Sequence, residues 1–174
     1  MITNERHVIG WVKRDGKWYY YNDDETPYTG WLTLDHKTYY LGADGVMATG
    51  WLLLDGDYYY FSGSGEMQTG WQFISNNWYY LAKDTGIMYS SGWHADPETK
   101  TMYYFYTWGG AARNTTLTLN GYRVKFLSWG GISGSTWLYH DGAWYYVQKY
   151  SCVTNGWYQI CLLYTSPSPR DRSV

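Results

Sequence analysis

Tryptophan and tyrosine are the residues of this chain that are numerous and regularly spaced enough to form a binding site. The sequence has 174 residues, of which 12 are Trp and 22 are Tyr. If Trp11 and Trp18 of one β-hairpin meet Tyr40 of the next, three rings surround a small space. Such a cage has electron-rich faces and no buried carboxylate, so it favours a quaternary ammonium group, which has no N–H to satisfy. A nearby methionine would add a soft apolar wall.

These rings belong to a sequence that repeats every 20 residues. A Gly-Trp pair recurs through four units without drift and then returns twice, with its tryptophans at Trp11, Trp31, Trp51, Trp71, Trp93 and Trp157. A fixed period of this length is typical of a repeat architecture, in which one supersecondary unit is stacked many times. We therefore expect binding to be repeated along the chain rather than concentrated in one pocket.

Each repeat predicts a β-hairpin followed by a connecting loop. Asp15-Gly16 and Asp55-Gly56 separate a Gly-Trp strand from a strand of consecutive aromatic residues, and Asp-Gly favours the type I′ turn of tight hairpins. A two-stranded hairpin is marginally stable in water, so neighbouring hairpins must cover its aromatic face. The sequence therefore predicts an all-β fold, a repeat solenoid of stacked β-hairpins.

The repeats define the predicted domain organisation. We expect an N-terminal lead-in at 1–9, a hairpin-repeat binding domain at 10–160 and a separate tail at 161–174. The domain would hold about seven units, irregular between 93 and 136, where Thr116 stands at the place of the repeat tryptophan. The tail, which begins at Cys161, resembles a translated sequencing adaptor, so we predict that it is non-native and disordered. The unit at Trp157 would then be truncated.

Two segments carry a resemblance to a known family. Gly10-Trp11 with Asp15 to Tyr20, and Asp44 to Trp51, resemble choline-binding (cell-wall-binding) repeats. The resemblance covers about 10–160 and is most specific in the first four units. It implies a solenoid of the choline-binding-repeat type that holds choline, or phosphocholine of teichoic acids, in aromatic cages between successive hairpins. It also implies an extracellular, cell-surface or cell-wall location, although no export signal is present in this sequence.

The resemblance also assigns ligand-binding residues, position by position. The expected cages are Trp11/Trp18/Tyr40, Trp71/Trp78/Tyr104 and Trp51/Tyr58/Tyr80, with Trp137 and Trp144 as two walls of a further cage. Weaker positions are Trp31, Tyr60, Met47, Met67 and Met88. The second unit has Thr38 where the family has its second tryptophan, and the fifth unit has Met102 there, so we expect poor sites in both.

Two other functions are compatible with the same residues. Related repeats of glucan-binding domains, in glucosyltransferases and clostridial toxins, lack the second tryptophan and bind sugars, for which Gln72 and Asn76 offer polar side chains. Alternatively, the aromatic rings only pack between repeats, and the chain is a structural spacer.

Composition and motifs argue against several other classes. A formal net charge of -2, from 13 Lys+Arg and 15 Asp+Glu, with no basic run, argues against a nucleic-acid partner. No apolar run reaches the about 20 residues that span a bilayer. The four histidines are scattered and show neither metal-ligand spacing nor a nucleophile with its base. We therefore expect no metal, no cofactor and no enzyme activity here, although the chain can belong to a larger hydrolase or toxin. The open ends of a solenoid are candidates for self-association.

Overall fold

The structure is a computed structural model that describes residues 9–96, 99, 101–119, 121–133, 136–140, 143–148 and 151–152. Its regular elements are short strands, namely β1 (Gly10–Arg14), β2 (Lys17–Tyr21), β3 (Gly30–Leu34), β4 (Lys37–Leu41), β5 (Gly50–Leu54), β6 (Asp57–Phe61), β7 (Gly70–Ile74), β8 (Asn77–Leu81), β9 (Gly92–Ala95), β10 (Met102–Phe105), β11 (Thr115–Leu119), β12 (Tyr122–Phe126), β13 (Thr136–His140), β14 (Ala143–Gln148) and β15 (Ser151–Cys152). Across this described part, no helix could cross a membrane.

Consecutive strands pair as antiparallel hairpins, each forming its own small sheet. The pairs run β1–β2, β3–β4 and so on to β13–β14, and β15 adds a third strand to the last sheet. This arrangement confirms the predicted all-β class and the succession of hairpins. Thr116 occupies the place of the repeat tryptophan in β11, as predicted, because it pairs with Lys125 as Trp11 pairs with Tyr20.

The chain divides into two compact units. Unit 1 comprises Met1–Gln72 with Tyr80–Met88, and unit 2 comprises Phe73–Tyr79 with Tyr89–Val174. The domain boundaries expected from the sequence stay predictions. Most of the lead-in, the unit at Trp157 and the tail lie outside the described residues.

The hairpin turns have the backbone that a type I′ turn requires. Both central residues have positive φ, 49° and 79° at Asp15 and Gly16, and 54° and 96° at Asp55 and Gly56. Such angles are costly for most residues, and Asp-Gly is favoured at these positions. The hairpins predicted from these two Asp-Gly pairs are thus confirmed. Asp35-His36 and Ser75-Asn76 form equivalent turns without glycine.

The loop that follows a hairpin also forms a backbone hydrogen bond with the previous hairpin along the chain. In unit 1 the amide of Met47 donates to the carbonyl of Trp18 at 2.8 Å, that of Met67 to Thr38 at 2.7 Å and that of Met88 to Tyr58 at 2.8 Å. In unit 2 the amide of Ala111 donates to Trp78 at 2.8 Å. Successive hairpins within a unit are therefore stacked through backbone hydrogen bonds as well as through side chains.

Each unit has its own apolar core. In unit 1, Leu32, Leu41 and Met47 are buried, and rings such as Trp11 and Tyr39 pack against them. A second cluster, in unit 2, consists of Met102, Ala112, Val124, Phe126 and Ile132. Aliphatic side chains thus form small centres that aromatic rings surround, which fits a sequence poor in Ile, Val and Leu.

Candidate aromatic ligand site

The strand register places both tryptophans of the first repeat on one face of its hairpin. Trp11 pairs with Tyr20, and Lys13 pairs with Trp18. Because side chains alternate faces along a strand, all four of these residues project from the same face. Trp11 packs edge-on against Tyr20, with ring centroids 5.3 Å apart. Two walls of the predicted cage are therefore brought to one surface.

The third ring beside Trp11 is Tyr39 and not the predicted Tyr40. The centroids of Trp11 and Tyr39 are 4.9 Å apart, with an interplanar angle of 63°. Tyr40 instead pairs with Trp31 of its own hairpin and packs on it at 5.1 Å. Tyr39 and Tyr40 face opposite sides of β4, and the side carrying Tyr39 meets the first hairpin. The grouping of Tyr40 with Trp11 is therefore corrected.

The second repeat shows the same shift by one residue. Trp31 packs edge-on against Tyr59 of the next hairpin at 5.1 Å, whereas the predicted Tyr60 packs on Trp51 at 5.0 Å. The position of the second tryptophan is held by Thr38, which pairs with Thr33. Trp31 thus packs against rings of its own and the next hairpin, while a threonine stands where the first repeat has its second tryptophan. The sequence predicts a weak position here.

The third repeat brings together Trp51 and Tyr58 as predicted. Their centroids are 6.4 Å apart and their planes lie at 85°. Both rings are accessible, since Trp51 is 36% and Tyr58 45% exposed. Tyr80, the predicted third wall, packs on Trp71 at 5.2 Å, which repeats the pairing of Tyr40 with Trp31.

The other predicted cages are only partly described. Trp71 belongs to unit 1, whereas Trp78 and Tyr104 belong to unit 2; Tyr104 packs on Trp93 at 5.2 Å. Trp137 and Trp144 lie in β13 and β14, where they pair with Tyr146 and Tyr139, and their side chains lie outside the description. Ligand binding at these positions stays a prediction.

The predicted methionine positions are buried or half-buried. Met47 is buried beside Leu32 and Leu41, and a Cβ placed on Gly65 would overlap its side chain. A Cβ on Gly86 would overlap Met67 in the same way; Met67 and Met88 are half-buried. Met47 is therefore a packed element of the core, and its amide fixes the strand that carries Trp18.

The accessible rings present electron-rich faces. Trp18 is 41% exposed and Trp31 39%, and the ammonium of Lys13 lies 5.7 Å from the centroid of Trp18. A cation at this distance from an indole is attracted by the ring quadrupole. Burial, followed by the charges of Asp57 and Asp55, raises the pKa of Tyr59. The site thus provides aromatic faces for a cation.

The fifth repeat has lost this arrangement. Met102 takes the position of Trp18, because it pairs with Ala95 as Trp18 pairs with Lys13, and it is 4% exposed. Val124 takes the position of Tyr39 and is buried. Trp93 stacks on Phe126 at 5.8 Å. Apolar core residues fill the space of a cage here. The sequence predicts a poor site at this repeat, because Met102 stands at the place of the second tryptophan.

Sequence reasoning missed Tyr39 and Tyr59. The signal that could have found them is the hairpin register, which sets Tyr40 opposite Trp31 once the two-residue turn is placed. Among the residues that the structure describes, no three His, Cys, Asp or Glu side chains converge to hold a metal ion.

Comparison with known proteins gives a consistent result. The family model for the choline-binding repeat matches residues 28–67 and 53–93, and that for a cell wall binding repeat matches residues 9–26. No curated protein matches the chain.

Solved structures of pneumococcal proteins are similar over most of the chain. CbpJ from Streptococcus pneumoniae TIGR4 is 35% identical with a TM-score of 0.67, covering 82% of this chain and 47% of that one. Choline-binding protein F from Streptococcus pneumoniae is 30% identical with a TM-score of 0.66, covering 81% and 50%. The present chain thus spans about half the length of these two relatives. The choline-binding domain of CbpL from Streptococcus pneumoniae is 30% identical with a TM-score of 0.55, covering 83% and 78%. This chain belongs to the family of choline-binding repeat proteins.

Proposed function

We propose that this chain is a non-catalytic binding module that attaches a larger exported protein to a choline-bearing cell surface. Its ligand is the quaternary ammonium group of choline or of phosphocholine on teichoic acids. Family membership and the relatives named as choline-binding proteins support this ligand class.

One observation carries the proposal. Trp11 and Trp18 share a face, and Tyr39 of the next hairpin packs on Trp11 at 4.9 Å. Rings on several sides suit a weakly hydrated cation without N–H groups, because apolar contact and cation–π attraction act together. A primary ammonium would lose more hydration on entering such a space.

Attachment depends on several weak sites acting together. A cation–π contact contributes about 0.5–2 kcal/mol, so a single small cage binds weakly. Repeated cages on one chain raise the effective concentration of each next site for a polymer that carries many choline groups. Retention on a surface can thus greatly exceed the affinity of one cage.

The test compares Trp18→Ala with His36→Ala on a tertiary-amine resin and in titrations with choline and with dextran. His36 lies in the β3–β4 turn and is exposed, so its variant is the matched control. We expect Trp18→Ala to elute at a clearly lower choline concentration, and His36→Ala to behave as the parent chain.

Each alternative function gives a different result in the same titrations. A change in tryptophan fluorescence with dextran alone would assign the repeats to glucan binding and overturn the choline proposal. No response to either ligand would identify a structural spacer. Hydrolysis of peptidoglycan by the chain itself would contradict a non-catalytic role.

A further inference from the structure

Two tryptophans of unit 2 lie outside the aromatic cages and are strongly exposed. Trp108 is 51% and Trp129 47% exposed. Each is the third residue of the loop that follows a hairpin, and each precedes two glycines. The same sequence, Trp-Gly-Gly, thus occurs twice at the same place in the repeat.

The equivalent place in unit 1 holds a polar turn residue. Asp24 accepts a hydrogen bond from the amide of Thr26 at 3.0 Å, and Asp44 accepts one from Val46 at 3.1 Å. An indole cannot accept these bonds. Trp108 and Trp129 therefore lose a turn-stabilising interaction and expose a large apolar surface. A local rule that is broken twice in the same way indicates a functional position.

Neighbouring residues fix the orientation of both indole rings. A Cβ on Gly110 would overlap the ring of Trp108, and a Cβ on Gly131 would overlap that of Trp129. Each ring also meets a tyrosine edge-on, Trp108 against Tyr79 at 6.1 Å and Trp129 against Tyr103 at 6.5 Å. The glycines are therefore required by the flat placement of the indoles, and the arrangement is repeated rather than accidental.

The shape and charge of these loops distinguish them from the cages. Trp108 stacks on Tyr106 with an interplanar angle of 9° and centroids 5.4 Å apart, so it offers a flat surface and not an enclosure. Residues 106–111 and 127–132 contain no charged side chain, whereas Asp23, Asp24 and Glu25 lie in the first loop of unit 1. A flat ligand that stacks on one face fits these loops better than a cation that is enclosed by several rings.

We propose that Trp108 and Trp129 form a second binding site, in which the indoles stack on the apolar faces of neutral pyranose sugars. The exposed hydroxyls of Thr107 and Ser128 lie next to the rings in sequence and are available to the sugar hydroxyls, which need polar partners. A second copy of the chain fits less well, since a stable interface buries about 800 Å² per partner and a whole aromatic side chain buries only about 150–250 Å².

Trp108 and Trp129 lie in consecutive loops, and the backbones of these loops contact each other. The amide of Asn114, just after the first loop, donates to the carbonyl of Leu127 at 2.9 Å. A Cβ on Gly130 would lie 3.6 Å from the carbonyl oxygen of Ala112. We expect an oligosaccharide that contacts both rings to bind more tightly than a single sugar.

The test replaces both tryptophans by the turn residue of unit 1, in the variant Trp108→Asp/Trp129→Asp. Its ligands are two neutral tetrasaccharides, one of N-acetylglucosamine and one of glucose, and choline. Binding is followed by calorimetry and by the indole N–H resonances. We expect saturable binding of at least one tetrasaccharide, weakened about tenfold or more in the variant. Choline binding should be unchanged, and Trp18→Ala should show the opposite pattern.

Several results would overturn this second site. They are the absence of tetrasaccharide binding to the parent chain, unchanged binding in the double variant, and loss of tetrasaccharide binding in Trp18→Ala. Weaker self-association of the double variant in ultracentrifugation, without any saccharide effect, would assign the rings to contacts between copies. If the aspartate variant does not fold, Trp108→Phe/Trp129→Phe takes its place, with severalfold weaker binding expected. Failure of choline binding alone would contradict the proposed function and leave the saccharide result intact.

Discussion

The first and fifth repeats use the same hairpin for two different purposes. In β1–β2 of unit 1 the position paired with Lys13 holds Trp18, which is 41% exposed. At the equivalent position of β9–β10 in unit 2, Met102 is 4% exposed. The partner position in the next hairpin changes from Tyr39, which packs on Trp11, to the buried Val124. Side chains at two positions thus decide whether the aromatic faces of a repeat stay exposed or are replaced by buried core.

This comparison explains why the backbone pattern persists where the cage does not. The stacking hydrogen bonds use main-chain groups, such as the Met47 amide to the Trp18 carbonyl and the Ala111 amide to the Trp78 carbonyl. They do not depend on which side chain occupies the cage. Binding sites in a repeat protein can therefore be lost one at a time while the architecture is retained.

The largest expected effect concerns the filled position. Met102→Ala should lower the free energy of unfolding by about 2–5 kcal/mol, because it removes a buried side chain and leaves a cavity. Trp18→Ala at the same position of the first repeat should change stability much less, since the ring is partly exposed. Denaturant unfolding of both variants measures the difference. Equal losses would show that Trp18 is also a core residue and would remove the contrast.

The next effect tests the corrected third wall. Tyr39→Leu should weaken choline binding to the first cage about fivefold, because one aromatic face is lost while apolar volume is kept. Tyr40→Leu is the matched control, since Tyr40 packs on Trp31, and it should leave that cage unchanged. Calorimetric titration with choline gives both affinities. A larger loss in Tyr40→Leu would restore the grouping expected from the sequence.

A smaller effect concerns the pH dependence of unit 2. Burial lowers the pKa of His94 below its ordinary value of 6.5, and Asp96 opposes this in part. The unfolded chain therefore binds the proton more readily than the folded chain. The stability that neutral His94 contributes to the fold is fully present above about pH 6.5. It is lost as the pH falls through the lower pKa of His94 in the folded chain. Unfolding midpoints at a series of pH values measure the loss.

His94→Phe is the control for that pH dependence. The phenyl ring keeps the contacts with Tyr89, whose centroid lies 4.1 Å from that of His94, but it cannot be protonated. We expect the variant to lose stability less steeply between about pH 6.5 and 5, where carboxylates are still mostly ionised. An unchanged slope would assign the pH dependence to other groups.

The smallest effect tests the cation already present in the first cage. Lys13→Met should tighten binding of choline about twofold, because it removes a positive charge near Trp18 that repels the ligand weakly in water. Phosphocholine should gain less, since its phosphate is attracted by Lys13. Parallel titrations with the two ligands measure the ratio. Weaker choline binding in Lys13→Met would show that the lysine stem is itself a wall of the site.

Much of the fold could be predicted from turn chemistry and period. Asp15-Gly16 and Asp55-Gly56 determine where the chain reverses, and the 20-residue repeat of Gly-Trp then predicts the stacking. The turn at Ser75-Asn76 gave a weaker signal, because it reaches positive φ without glycine. Here the repeat itself, rather than the local residues, indicates the hairpin.

The sequence groups Trp11 with Trp18, and the structure places both on one face; the sequence also groups Tyr40 with them, whereas Tyr39 lies beside Trp11. Trp11 and Trp18 are related by the register of one hairpin, which local sequence determines. The third ring depends on which face of β4 meets the preceding hairpin, and this follows from packing between repeats. Trp108 and Trp129 could not be identified as a site from the sequence, because nothing local predicts that each indole lies over a glycine.

The hydrogen bond from Met47 to Trp18 also sets an order of assembly. The strand that carries Trp18 gains this support only after the whole second hairpin and its loop have been made. The same dependence links Thr38 to Met67 and Tyr58 to Met88. During synthesis from the amino end, each of these hydrogen bonds can form only after the following repeat has been made. The most recently made hairpin therefore always lacks the hydrogen bond that the next repeat will donate to it.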